Sequence, residues 1–106
     1  MTTFDKREQA FEAGLVHDAE IKFKAIARRD KWFGLWAAQQ LGKSGDDAEA
    51  YASELVRADI VGTNGDVVFN KVRGDFEAAK VAQTDVQLRH KLNDLFAQAL
   101  EAVKAG

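Results

Sequence analysis

The residues of this chain whose types could do chemistry are few. They are two histidines, two serines, a glycine-lysine-serine run and several neighbouring carboxylates. The run Leu41 to Gly45, LGKSG, has the tail of a phosphate-binding loop, which needs a glycine five residues ahead of its second glycine and a strand leading in. Position 37 is alanine, and the flanking sequence has a helix period. A helix terminus and turn is the reading that the sequence favours there. His17 and His90 have no histidine partner at the three- or four-residue spacing of a helical metal site. Ser44 and Ser53 lack the context of a nucleophile elbow. Asp46 and Asp47 have the placement of acids at a helix N-terminus, where the dipole favours them. Cysteine is absent, which excludes disulfides, thiolate nucleophiles and cysteine-based zinc sites together. No enzyme chemistry, metal or cofactor is expected.

The remaining candidates suit binding. Lys22 to Lys31, KFKAIARRDK, carries bases all around a helix except at Phe23 and Ile26. Such a cluster is either a solvated helix surface or a nucleic-acid face, and the net charge of -2 argues against nucleic acid. Within this cluster Asp30 falls inside the apolar arc between Phe23 and Phe33, so its carboxylate needs a partner. A base on another helix, or water at the bundle's end, would serve. Trp32 and Trp36, four residues apart, lie away from the main apolar stripe. Either both faces of that helix are core, or the tryptophans form an aromatic docking patch.

These residues must be positioned by helices. In a chain of 106 residues, 46% are hydrophobic and 30% charged, the balance of a single globular domain. Ala19, Phe23, Ile26, Phe33, Ala37 and Leu41 repeat at helical spacing, and Gly42 follows as a stop. Asp46 and Glu49 are spaced as a capping box ahead of Ala48, Tyr51, Ala52 and Leu55, and GTNGD, from Gly62 to Asp66, ends that helix. Phe69, Val72, Phe76 and Ala79 form a third stripe. Thr84 with Gln87 caps a fourth that runs through Leu88, Leu92, Leu95, Ala99 and Val103. The expectation is an all-α four-helix bundle of up-down topology, since the connections are short. No run is apolar enough to span a membrane, and MTTFDKREQ has neither part of a secretory signal, so the cytoplasm is expected.

The first stripe begins late, and what precedes it has little room inside a bundle. A helix from Asp5 to Leu41 would be roughly 55 Å long at 1.5 Å per residue. A compact chain of this size is only about 33 Å across. Residues 1–18 are therefore expected to form a protruding N-terminal arm, partly disordered or helical, on a body of residues 19–106. Gly14 lies near the boundary. The arm carries Phe4, Phe11 and Leu15 on a narrow stripe with Asp5, Lys6, Arg7, Glu8 and Glu12 around it. It either folds back onto the body or buries its stripe in a groove on another protein.

The pieces FDKREQAFE at Phe4, FKAIARRDKWFGLWAAQQLG at Phe23 and DDAEAYASELVRADI at Asp46 resemble the zeta subunit family, inhibitors of the bacterial F-type ATP synthase. The resemblance covers nearly the whole chain. Its most specific parts are Arg7 with Glu8, Ala10 to Glu12, Ala27 to Arg29 and Trp36 to Ala38. Asp30 departs from the family pattern, standing where asparagine is expected, and Gly14 to Val16 is less aromatic than the pattern. What the resemblance implies is a four-helix body with an N-terminal inhibitory region. That region enters the interface between catalytic and noncatalytic head subunits, near the rotor, and blocks ATP hydrolysis sterically. Carried over by motif, the inhibitory residues lie between Thr2 and about Ala19. Phe4, Arg7, Glu8 and Phe11 lead, with Asp5, Glu12 and Leu15 beside them, and Arg28, Arg29, Trp32 and Trp36 form a secondary contact. The implied place is the cytoplasm, peripheral to the inner membrane through the synthase head. Two other readings stand beside it: a helical adaptor docking through Trp32, Trp36 or the basic helix, and a small nucleotide-responsive protein using Arg28, Arg29 and Lys31.

Overall fold

A computed structural model describes residues 2–59 and 65–106, with side chains from Asp18 onward. Four helices follow one another: α1 (Thr2–Gln40), α2 (Gly45–Ala58), α3 (Asp66–Ala79) and α4 (Asp85–Ala105). The described residues contain no strand. Helix α1 is continuous through Gly14, and the molecule measures 64 × 27 × 21 Å, so its long axis is about twice the compact estimate.

Local sequence explains where each helix stops. Gly42 adopts a left-handed conformation (φ 79°), its N–H donates to the Gln39 carbonyl at 3.0 Å, and Lys43 N–H donates to Ala38 at 2.8 Å. This pair of bonds satisfies the last carbonyls of α1. The same closure ends α3: Val81 N–H reaches the Phe76 carbonyl at 2.9 Å and Lys80 N–H reaches Glu77 at 3.3 Å. Here a lysine takes the left-handed position (φ 58°), held there while Val81 packs back onto the core. At the start of α4, Thr84 Oγ1 accepts from Gln87 N–H at 3.1 Å and Gln87 Oε1 accepts from Thr84 N–H at 2.9 Å, which is the expected capping box.

The box expected at Asp46 and Glu49 does not form. Helix α2 already starts at Gly45, with Ser44 as the flanking residue and no side-chain cap bond. Asp46 is therefore inside the first turn, where it and Asp47 favour the helix dipole instead. Of the GTNGD turn, residues 62–64 lie outside the described residues. Gly65, at φ 88°, leads directly into α3.

The core forms where α1 packs against α2 and α4, and α3 closes the remaining side. Phe33, Leu55, Val68, Val72, Phe76, Leu88 and Leu92 are its largest apolar members. Each contributes roughly 1.5 to 3 kcal/mol by leaving water. Of the anticipated stripes, Ala19, Phe23 and Ala79 are exposed, Phe23 by 63%, and Leu41 and Val103 are half-buried. Among the described side chains, full burial on α1 begins at Ala25.

Small residues set the spacing of α1 and α2. Gly34 faces Ala52, and a Cβ built at Gly34 would lie 2.6 Å from Ala52 Cα, a backbone atom that cannot yield without moving the helix. Replacing a helix-interior glycine by alanine normally gains about 1 kcal/mol. Here Gly34→Ala is expected to cost about 1 to 3 kcal/mol net, through overpacking. A urea titration checks this: the midpoint falls, whereas a rise would mean that the two helices separate without penalty.

Candidate functional site

No described residue makes a catalytic or metal constellation. Among the described residues no three His, Cys, Asp or Glu side chains gather as a metal site. His90 is exposed on α4, and the side chain of His17 lies outside the described residues. LGKSG is the terminus of α1 and its turn, as the sequence favours. Among the described residues no helix is long and apolar enough to cross a membrane.

The arm residues Phe4, Asp5, Arg7, Glu8, Phe11, Glu12 and Leu15 all fall on the backbone of α1. Their side chains lie outside the described residues. A seven-residue separation puts Phe4 and Phe11 on one face of that helix, and Leu15 follows four residues on. Where description of side chains begins, Asp18, Ala19, Glu20, Lys22, Phe23 and Lys24 are exposed and Ile21 is half-buried. Phe23 lines an apolar groove of about 320 Å³ with Ile26, Ala27 and Val56.

At the foot of this segment is a buried ionic cluster. Arg29 Nε donates to Asp30 Oδ1 at 3.0 Å, and its Nη2 lies 2.9 Å from the same oxygen and 3.1 Å from Asp59 Oδ2. Arg29, Asp30 and Asp59 are 5%, 1% and 6% exposed. The guanidinium carbon is 5.6 Å from the centre of the Phe96 ring on α4. The cluster thus joins α1 to the residue that follows α2 and to α4. Asp30 has the partner that its place in the apolar arc demands, but that partner is its own neighbour, which in turn reaches Asp59. Burial, with the neighbouring Asp59 carboxylate, pushes the Asp30 carboxyl up to about 8 against the opposing pull of Arg29.

Of the four residues of the implied secondary contact, only Arg28 is exposed. Arg29 is committed to the ionic cluster. Trp32 and Trp36 are half-buried against the core. The Trp36 ring centroid lies 5.7 Å from that of Phe33 and 5.8 Å from that of Phe76, with Lys91 Nζ 5.5 Å from it. Both tryptophans pack against the core at this level and also line a surface groove with Leu35 and Ala48. The role of Asp59 escaped the sequence reading, and the only signal for it was the unexplained acid at Asp30.

Elsewhere on α2, Tyr51 Oη donates to Asp75 Oδ2 at 2.7 Å and ties α2 to α3. Burial and the Asp75 carboxylate hold the Tyr51 proton on. Lys71 Nζ lies 5.6 Å from the Tyr51 ring centre and 3.6 Å from Asp75. These are structural contacts that consume their own polar groups.

A solved structure, a solution NMR structure of a protein, is similar to this chain with a TM-score of 0.68 and 41% sequence identity. The match covers 80% of this chain and 96% of that one. Comparison with curated proteins yields no match. The sequence profile of ATPase inhibitor subunit zeta matches residues 1–102, from the arm through most of α4. The chain belongs to the ATPase inhibitor subunit zeta family.

Proposed function

We propose that this protein inhibits ATP hydrolysis by the F-type ATP synthase, inserting the segment from Thr2 to about Ala19 into a catalytic interface of the head. Family membership supports the inhibitor role. The observation that carries the choice of segment is the length of α1 ahead of its packing. The helix extends from Thr2, the described core begins at Ala25, and the described side chains between Asp18 and Lys24 are exposed or half-buried. A helix maintained beyond the core has surface to offer a partner.

The physics favours such a segment as an inhibitor. A free peptide of about a dozen residues pays a nucleation cost that leaves it marginally helical in water. The arm instead propagates from a helix that the body has already nucleated, so less order is lost on docking. Phe4, Phe11 and Leu15 are the apolar anchors. Asp5, Arg7, Glu8 and Glu12 flank them and set register through charge. Inhibition is steric: an inserted helix holds apart surfaces that must close and open during rotation, with no chemistry by this chain. Arg28 adds a contact at the rim. Acting there, the protein is cytoplasmic and peripheral to the inner membrane.

The test adds the purified protein, and separately a peptide of residues 1–19, to the isolated catalytic head and measures ATP hydrolysis. Both are expected to inhibit, the peptide more weakly because it lacks the nucleus supplied by the body. Full hydrolysis in the presence of saturating protein would overturn the proposal.

A further inference from the structure

Among the described residues, the buried cluster at the base of the arm holds Arg29 and two carboxylates, Asp30 and Asp59. If both acids were ionised, two buried carboxylates would crowd one guanidinium, an arrangement that proteins avoid by retaining a proton. One atom shows where that proton belongs. Asp30 Oδ2 is buried with no hydrogen-bond partner among the described residues, a poor situation for a carboxylate oxygen. As a hydroxyl the same oxygen becomes a donor, and the Asp59 carboxylate is an acceptor within its reach.

We propose that Asp30 and Asp59 share one proton beneath Arg29, and that this proton latches α1 to the C-terminal end of α2. With the proton in place, Asp30 donates to Asp59, and Asp59 pairs with Arg29. When the proton leaves to solvent, two carboxylates compete for one guanidinium and the groove between Ile26, Ala27 and Val56 must admit water or open. Among the described residues, the charged groups that face Asp30 are Arg29 from its own helix, and Asp59 and Arg57 from the end of α2. Helix α4 presents the uncharged Phe96 to Arg29, and the start of α3 presents Gly65, whose added Cβ would lie 3.5 Å from Arg29 Cζ.

The direction of the pH effect follows from where each state releases its proton. The unfolded chain ionises Asp30 at its ordinary value of 3.8, and the folded chain retains the proton to about 8. The folded form therefore binds more protons between these values, and stability declines as pH rises through that window. Above it both states are ionised and the dependence levels off. This inference concerns the body alone and stands whether or not the arm inhibits an ATPase.

The experiment follows the Asp30 carboxyl carbon by NMR in the full-length, isotopically labelled protein between about pH 4 and about pH 10. The expected midpoint is near 8, and the backbone amides of Ile26, Ala27 and Val56 shift with the same midpoint. In Asp30→Asn, which keeps the shape of the side chain, those amide transitions vanish and thermal stability no longer declines across the window. In Asp59→Asn the Asp30 midpoint moves to lower pH, at a proton concentration at least tenfold higher, because the acceptor has lost its charge. An Asp30 midpoint in the ordinary carboxylate range, or amide transitions that persist in Asp30→Asn, would overturn the proposal.

Discussion

Deleting residues 1–14 is expected to abolish the proposed inhibition of ATP hydrolysis, while the helical body melts within a few degrees of the full-length protein. The deletion removes Phe4 and Phe11 along with Asp5, Arg7, Glu8 and Glu12. Burying two phenylalanines is worth about 3 to 6 kcal/mol in total, which corresponds to roughly a hundredfold to ten-thousandfold in half-inhibitory concentration. The body should not register the loss, because every described core residue lies at or beyond Ala25. Steady-state hydrolysis and thermal melting, measured on one preparation, separate the outcomes. Undiminished inhibition would sink the assignment of the arm, and a large drop in melting temperature would return these residues to the body.

Arg29→Ala gives the second large effect, on stability. It strips the cation from two carboxylates that are nearly inaccessible to water, and it removes the guanidinium from the face of Phe96. Breaking a buried pair from one side costs about 3 to 5 kcal/mol, because an uncompensated charge stays behind. A domain with a total stability of about 5 to 15 kcal/mol loses a large part of it. The neighbouring change Arg28→Ala, at an exposed position, is the control and leaves the unfolding midpoint in place. If the two variants unfold at the same denaturant concentration, the cluster is solvated and Arg29 belongs with the surface bases of α1.

The helical periods of the chain were readable without coordinates where a helix packs on one continuous face. Leu88, Leu92, Leu95 and Ala99 are all buried, and the box at Thr84 and Gln87 forms at the position its spacing indicates. Periodicity failed where burial depends on a neighbour's length. Phe23 continues the stripe of Ile26 and Phe33 yet stands exposed, since nothing in the sequence of α1 says how far α2 and α4 extend alongside it. Spacing failed again at Asp46, where a start one residue earlier turned a cap into an ordinary member of the first turn. The buried carboxylate at Asp30 was foreseeable as a problem, but its solution runs through Asp59, thirty residues on in the chain. Gly34 likewise looks like a helix defect until Ala52 is placed against it. The proposed anchors Phe4 and Phe11 are the reverse case: their pattern is plain in the sequence, and under the proposed function the partner that would give it meaning is another protein.

Because α1 is one helix, its buried base and its tip are mechanically a lever. The stretch from Ala25 back to Thr2 spans roughly 35 Å, so a pivot of about 10° at the base carries the tip about 6 Å, more than one helical turn. A change of packing too small to alter the body's shape would then be enough to carry Phe4 out of register with any groove built to receive it.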